Sequence, residues 1–212
     1  MCGLKIEEFV EKYGEPYSTK LGIDLASGRD EEILKWFLAS MLYAKPIRES
    51  SASRTYLTFK AHNLTDVDAI LGAGWDKLVT VLDEGGYVRY DFSTATKLLN
   101  VFGELKKRYK GSLTRLYESS KDSRDLERRL KALGKGIGDT TISIFLREMR
   151  SIWKKADPKP TPIVKLAMER LGIKDLKAFA EKRGLDLVRL ETALLRLGKD
   201  YLKKGKRLGV EM

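Results

Sequence analysis

The sharpest pattern of residues with chemical potential runs from Leu130 to Ile142, where three glycines surround one aliphatic residue between two helix-like segments. Glycines in the turn Gly136-Ile137-Gly138 permit positive φ and a close approach of the backbone. The first amides of a helix have no partner within it, so they attract phosphate oxygens. The pattern predicts a turn that holds a polyanion through its backbone, with Ile137 filling the space between the helices. An ordinary tight turn between packed helices is the alternative.

Basic residues flank this turn and strengthen the prediction of a bound polyanion. They are Arg128, Arg129, Lys131, Lys135, Arg147 and Arg150. Asp139, directly after the last glycine, is expected to be a helix N-cap, because an aspartate there accepts hydrogen bonds from the first amides. This turn resembles the helix-hairpin-helix element, which grips one DNA strand through its phosphates without reading the base sequence.

The net charge of +11 is unevenly distributed along the chain. Residues 1–106 carry 13 Lys and Arg against 16 Asp and Glu, whereas residues 107–212 carry 28 against 14. A strongly basic half predicts a polyanionic partner, with nucleic acid first and an anionic membrane surface second. Solvated helix faces of a thermophile protein are the alternative, which the absence of glutamine supports. That alternative does not explain why the positive excess lies in one half.

Length and composition exclude several classes of protein. With 212 residues, 42% hydrophobic and 33% charged, the chain is typical of a compact soluble protein. Its longest uncharged stretch, residues 36–44, is far shorter than the roughly 20 residues of a membrane span. One cysteine, Cys2, and one histidine, His62, argue against disulfides, zinc or iron–sulfur clusters. We therefore expect a cytoplasmic monomer without a signal peptide, metal or cofactor.

Hydrophobic residues recur at three- and four-residue steps nearly throughout, which predicts about ten helices with short connections. No alternating strand pattern with hairpin turns appears, so the expected fold class is all-α. Expected helix starts include a cap at Ser93 and another at Asp122 or Ser123. The spacing assigns most of a group of six aromatic residues to the core, namely Trp36, Phe37, Tyr43, Trp75, Tyr87 and Tyr90.

One aspartate follows the second helix of the glycine motif, in the only segment that resembles a linker. Residues 156–162 hold three of the five prolines, which stiffen the backbone. A stiff segment can hold the Asp157 carboxylate in a set direction, where it could stabilise a developing positive charge or orient a water. Asp157 could instead cap the next helix, since aspartate before proline is frequent at helix starts.

Taken together, these motifs make the stretch from Asp30 to about Gly172 similar to the helix-hairpin-helix DNA glycosylases of the endonuclease III superfamily. The family's hairpin has the form Leu-x-Gly-ψ-Gly-x-x-Thr-Ala and corresponds here to Gly134 to Ile142. A catalytic aspartate follows it after one helix and a loop, and Asp157 stands 17 residues after Thr140, close to that spacing. About two thirds of the chain is covered.

The resemblance extends to the segments before the hairpin. Residues 33–44 and the loop after them look like the family's early helix and DNA-probing loop, and Gly86-Tyr87 resembles its glycine-aromatic turn. It implies a six-helix barrel over 30–150, with the hairpin element at about 123–150, and a second helical lobe from 1–29 and 151–212, with DNA across the cleft between them. It also implies a catalytic residue, Asp157, and the following DNA-binding residues: Gly134, Lys135, Gly136, Ile137, Gly138, Thr140, Lys45 and Arg48.

The implied activity is base excision DNA repair, in which the enzyme flips out a damaged or mispaired base and hydrolyses its N-glycosidic bond. Thr140 stands where bifunctional members carry a nucleophilic lysine, so no Schiff base is expected from that position. The family's iron–sulfur loop is absent, and Lys45 replaces a glutamine of the probing loop. Tyr87 or Tyr90 is a further candidate, for stacking on a flipped base.

Two alternatives remain open at this point. One is an abasic-site lyase that uses a substitute lysine, for which the candidates are Lys135, Lys154, Lys155 and Lys159. Contacts of these lysines with phosphate are the simpler interpretation. The other alternative is a DNA-binding module that keeps the hairpin and has no catalytic activity.

Overall fold

A computed structural model describes residues 4–205 and 209–211 of the chain. The described residues form twelve α-helices and one pair of two-residue strands, which confirms the all-α class. They fall into two compact units, Leu21–Pro158 and a unit built from both ends, Met1–Lys20 with Lys159–Met212. Asp157 and the hairpin therefore belong to the same unit. Across the described ranges, no helix combines the length and apolar character needed to span a bilayer.

The helices are numbered here in chain order. They are α1 (Ile6–Tyr13), α2 (Tyr17–Lys20), α3 (Asp30–Tyr43), α4 (Glu49–Ala61), α5 (Val67–Glu84), α6 (Asp91–Tyr109), α7 (Leu113–Glu118), α8 (Ser123–Lys131), α9 (Asp139–Met149), α10 (Pro162–Arg170), α11 (Leu176–Arg183) and α12 (Leu187–Arg196). The strands are β1 (Leu4–Lys5) and β2 (Val210–Glu211), which pair in parallel. Two residues are too few to produce an alternating pattern, so the sequence did not indicate these strands.

Helix α3 is the central helix of the larger unit. Ten of its fourteen residues are buried, on nearly every face, which is typical of a helix enclosed by others. The indole nitrogen of Trp36 donates a hydrogen bond to the carbonyl of Phe145 in α9, at 3.1 Å. The ring of Phe37 packs edge-on against Phe145, with centroids 5.0 Å apart. These contacts fix the second helix of the glycine motif against the core.

The expected cap at Ser93 is wrong. Helix α6 begins two residues earlier, at Asp91, so Ser93 lies inside its first turn. The Ser93 hydroxyl donates to the carbonyl of Tyr90, at 3.1 Å, and the residue at the N-cap position is Tyr90. The Asp91 carboxylate accepts from the amide of Phe92 instead, at 2.6 Å.

Trp75 is an exception among the aromatic residues expected in the core, because its side chain is 39% exposed. Gly74, with φ of +72°, interrupts the helical backbone of α5 directly before Trp75. The Trp75 ring lies 5.2 Å from the exposed ring of Phe92, and its indole nitrogen donates to the hydroxyl of Thr96.

The unit made from the two chain ends has its own hydrophobic core. Ile6 and Phe9 of α1 are fully buried against residues of α12, among them Leu190 and Leu194. Helix α12 begins at the N-cap Asp186, whose carboxylate accepts from the amide of Arg189 at 2.8 Å. This unit contains neither the hairpin nor the predicted catalytic aspartate.

Candidate functional site

The glycine motif forms a hairpin between α8 and α9. The amide of Ile137 donates to the carbonyl of Gly134, at 3.2 Å, and this hydrogen bond closes the turn. Leu133 and Ile137 are buried, with 0% and 5% of their surface exposed. Gly136 has φ of +95°, a conformation that side-chain-bearing residues rarely adopt. The buried side chains of Leu133 and Ile137 thus anchor the turn in the core, while Gly136 and Gly138 remain exposed.

The start of α9 differs from the prediction for Asp139. Gly138 is the N-cap and Asp139 is the first helical residue, so Asp139 is not a cap. The ammonium of Lys131 donates to the Asp139 carboxylate at 2.5 Å, and this ion pair raises the pKa of Lys131. Within the described chain no side chain caps α9. Its first amides therefore stay open to an anion, with the nearby carboxylate neutralised.

Two glycines of the turn serve different purposes. A Cβ placed on Gly134 would lie 2.9 Å from Cγ2 of Val101, so the close packing of α6 requires a glycine there. A Cβ on Gly138 would meet no heavy atom of the described residues within 4 Å, and its φ of −103° suits any residue. Neither packing nor backbone conformation requires glycine at position 138. A partner that approaches the backbone closely from solvent would require it, because a side chain there would stand in its way.

Two of the predicted flanking cations are held by the protein itself. Arg147 is 1% exposed and lies beside Glu148, with 3.8 Å between guanidinium and carboxylate. The guanidinium of Arg150 donates to the carbonyl of Pro158 at 2.6 Å. Burial excludes Arg147 from contact with a bound polyanion. Arg150 is half-buried, and at least one of its donors is used by the protein itself.

Two cations of α8, Arg128 and Arg129, are held by one carboxylate, that of Asp125. Arg129 donates to Asp125 at 2.8 Å, and Arg128 forms a second ion pair with the same side chain. These bonds hold the pKa of Asp125 well below its usual range. Arg129 also donates to the hydroxyl of Tyr109, at 3.3 Å. Lys135, at the turn itself, is exposed to solvent.

Asp157 is exposed, on a segment anchored by its neighbours. Trp153 is 4% exposed and stacks on Tyr117, with centroids 4.6 Å apart and an interplanar angle of 13°. The amide of Ala156 donates to the carbonyl of Trp153 at 2.8 Å, and Arg150 holds the carbonyl directly after Asp157, that of Pro158. The backbone on both sides of this carboxylate is thus fixed.

The interpretation of Asp157 as a helix cap is wrong. The next helix, α10, begins at Pro162, and its N-cap is Thr161, whose hydroxyl accepts from the amide of Val164. Asp157 therefore lies four residues before that cap.

The structure excludes one of the four lysines that were candidates for a substitute nucleophile, namely Lys155. The Lys155 ammonium donates to the carbonyls of Tyr117 and Ser120, at 2.7 and 2.6 Å, and lies 4.2 Å from the centre of the Tyr117 ring. It is available neither for a phosphate nor for nucleophilic attack. The other three are exposed, namely Lys135, Lys154 and Lys159.

The loop between α3 and α4 contains the two predicted DNA contacts Lys45 and Arg48. Arg48 is exposed, directly before α4. Lys45 is half-buried, with its ammonium 5.2 Å from the centre of the Tyr90 ring. Tyr87 is buried and its hydroxyl donates to the carbonyl of Leu42 at 2.6 Å, so it cannot stack on a base.

Sequence reasoning missed Lys97 of α6. Its side chain is 7% exposed, and its Cδ lies 3.4 Å from the Cβ position of Gly136, under the hairpin turn. Burial and the nearby Lys45 ammonium lower the pKa of Lys97 to about 8. The available signal was its spacing, because Lys97 stands four residues before Val101 and eight before Leu105, both buried.

The described part of the chain holds no group of three or more His, Cys, Asp or Glu side chains placed to bind a metal ion. No family model matches this sequence, and a search of curated proteins finds no match. The site therefore has to be interpreted from its own geometry.

Proposed function

We propose that this protein is a helix-hairpin-helix DNA glycosylase that hydrolyses the N-glycosidic bond of a damaged or mispaired base in duplex DNA. One observation carries the proposal: a single unit contains a hairpin whose second helix has no side-chain cap and begins at exposed residues, and an exposed carboxylate on the anchored segment after that helix. Membership of the endonuclease III superfamily, with its six-helix barrel over about residues 30–150, belongs to the same proposal.

The hairpin would bind one DNA strand through its phosphates. The amides at the start of α9 and the exposed side chains of Lys135 and Thr140 supply the donors, and Arg48 supplies a second positive charge in the loop before α4. The excess of 28 basic over 14 acidic residues in the second half of the chain would add affinity independent of base sequence.

Asp157 would supply the chemistry. Breaking the bond between base and sugar builds positive charge on the sugar ring, and a carboxylate beneath the ring stabilises that charge and can orient the attacking water. The anchored backbone around Asp157 limits the directions its side chain can take. Thr140 offers no amine, so the product expected from position 140 is an abasic site in an intact strand.

The proposal is tested with duplexes that carry uracil, oxidised, alkylated or mismatched bases, assayed for release of free base and then for strand cleavage. We expect Asp157→Asn to slow base release by about 100-fold or more, as for other losses of a preorganised charge. Affinity for DNA should stay within about twofold, since the substitution leaves the phosphate contacts in place.

Asp139→Asn is the matched control, because it removes another exposed carboxylate close to the hairpin. Its rate of base release should stay near that of the unmodified protein. Undiminished release by Asp157→Asn would refute the catalytic role. Binding without release of any base would favour the non-catalytic DNA-binding module.

A further inference from the structure

A basic depression lies in the larger unit, where α6 ends and α7 follows. Its volume is about 440 Å³, and none of the residues around it was among the predicted DNA contacts. Three of these residues are cations and one is a carboxylate, so positive charge is in excess. The lining residues are Arg108, Tyr109, Lys110, Arg115, Glu118 and Ser119. A depression with this charge attracts anions.

The cations of this depression are not neutralised by the protein. The side chains of Lys110 and Arg115 make no hydrogen bond or ion pair with a described residue. The Arg108 guanidinium donates to the carbonyl of Ala132, at 3.0 Å, which leaves its positive charge without a carboxylate. Glu118 lines the same depression, yet it forms no ion pair with any described residue.

The cations directly before this depression are paired instead. The Lys106 ammonium lies 2.7 Å from the carboxylate of Asp68, and the Lys107 ammonium lies 3.8 Å from that of Glu104. Both lysines stand beside Arg108 near the end of α6. Carboxylates therefore neutralise the neighbouring charge and leave the charge inside the depression uncompensated. A phosphate group would compensate it, since arginine and lysine both bind phosphate oxygens.

The backbone of Lys110 is an independent observation. Lys110 is the C-cap of α6 and adopts the left-handed conformation, with φ of +55°. Glycine is usual at such a position, because a side chain there is strained. Among the described residues other than glycine, positive φ is shared only by Asn63, and asparagine tolerates it. The fold favours glycine at position 110, so the lysine there indicates a function for its ammonium.

Helix α6 connects this depression to the glycine hairpin. At the hairpin, Lys97 packs under Gly136, whereas Lys110 ends the same helix at the depression. The stretch of helix between the two lysines is about 20 Å long, at about 1.5 Å per residue. One phosphate cannot reach both sites, but phosphates about six base pairs apart along a duplex can. A duplex held at the hairpin therefore has the length to reach this depression.

We propose that this depression binds a second phosphate of the DNA duplex, separate from the phosphate held by the hairpin. The proposal rests on the proposed function only in that the protein binds DNA, and it does not require base release. Lys110 and Arg115 supply charge that no described carboxylate neutralises, and Arg108 supplies the donors that Ala132 leaves unused.

The test is the salt dependence of binding to an undamaged duplex of about 20 base pairs, measured by fluorescence anisotropy. Arg115→Met should make the slope of log K against log salt shallower by about 0.9, and should lower the affinity about fivefold near physiological salt. The variant should stay folded, because the Arg115 side chain has no partner among the described residues. A slope equal to that of the unmodified protein would overturn the proposal.

Lys110→Gly separates binding from stability. It removes the ammonium and supplies the residue that a left-handed cap favours, so the variant should unfold at the same or a higher temperature. Its salt slope should nevertheless become shallower by about 0.9. An unchanged slope in this stable variant would also count against the second phosphate.

Two further variants are matched controls. Lys107→Met removes one exposed charge from the same helix, outside the depression, and should leave the slope unchanged. Glu118→Gln removes the carboxylate that lines the depression and should raise the affinity about twofold, because that carboxylate repels a phosphate. Equal effects of Lys107→Met and Arg115→Met would show a general attraction without a site, and would refute the proposal.

The source of the phosphate is tested by calorimetric titration with inorganic phosphate. Binding of inorganic phosphate that Arg115→Met abolishes, together with unchanged DNA slopes, would assign the depression to a small phosphorylated molecule and overturn the proposal. Slopes that change for Gly138→Asp but not for Arg115→Met would refute only the second site. Slopes that change for Arg115→Met, with no release of any base, would refute the glycosylase activity and support the second site.

Discussion

Two glycine turns of the larger unit have opposite surroundings. At the turn between α5 and α6, a Cβ on Gly85 would lie 2.5 Å from Cα of Thr55, and the Gly85 carbonyl accepts hydrogen bonds from Arg54 and Thr55. At the turn between α8 and α9, a Cβ on Gly138 would meet no described atom within 4 Å. Glycine in the first turn serves internal packing, whereas in the second it leaves backbone amides open to solvent. Glycine content alone therefore does not distinguish a structural turn from a binding turn.

The largest effect on stability is expected for a substitution at Gly85. Gly85→Ala should lower the free energy of unfolding by about 3 kcal/mol, because the backbone of Thr55 cannot yield to the new methyl group. Denaturant unfolding measures this decrease. Gly138→Ala, the matched substitution in the other turn, should change stability by less than about 0.5 kcal/mol. Equal stability of the two variants would show that the turns do not differ in packing.

The next effect is expected on DNA affinity. Gly138→Asp should weaken binding of an undamaged duplex about tenfold or more, because it places a carboxylate where a phosphate would approach. Fluorescence anisotropy at one fixed salt concentration measures the change. Gly138→Ala adds bulk without charge and should weaken binding less, while both variants keep the stability of the unmodified protein. Equal weakening by the two substitutions would mean that no phosphate approaches position 138.

A smaller effect concerns the cation beside each turn. Arg54 donates a hydrogen bond to the Gly85 carbonyl, whereas Lys97 lies under Gly136 without a partner among the described residues. Lys97→Met should therefore raise the free energy of unfolding, by about 2 kcal/mol at pH 7. The exposed control Lys135→Met should not.

The gain in stability expected for Lys97→Met depends on pH, because it arises from the lowered pKa of the Lys97 ammonium. The pKa of Lys97 is about 8 in the folded protein, below its ordinary value of 10.5, so the unfolded chain binds more protons between these two values. The destabilisation is complete below about pH 8 and fades as the pH rises towards 10.5. The stability difference between Lys97→Met and the unmodified protein, measured from pH 7 to 10, should shrink accordingly. A difference that stays constant would contradict an uncompensated ammonium.

The sequence was informative where structure depends on local interactions. The start of α8 was predicted at Asp122 or Ser123, and the Asp122 carboxylate caps it by accepting from the amide of Asp125 at 2.8 Å. The all-α class follows from the same kind of signal, since a helix is marked by caps and by spacing within a few residues.

The sequence failed where a side chain meets partners distant along the chain. Lys155 resembles any surface lysine, yet its hydrogen-bond acceptors stand 35 and 38 residues earlier. Arg147 follows a glycine motif rich in cations, but α9 turns it into the interior. Lys97 meets Gly136 only because α6 passes beneath the hairpin. Local composition contains no record of such packing, so it does not show whether a basic residue near a motif is buried or exposed.

The most direct test of the central claim, that the hairpin holds a DNA phosphate, is the salt dependence of duplex binding by the unmodified protein, Gly138→Ala and Gly138→Asp. The slope of log K against log salt becomes shallower by about 0.9 for each phosphate that the protein no longer neutralises. We predict parallel slopes for the unmodified protein and Gly138→Ala, and a slope shallower by about 0.9 for Gly138→Asp, since its carboxylate opposes one phosphate. Three identical slopes would contradict the claim.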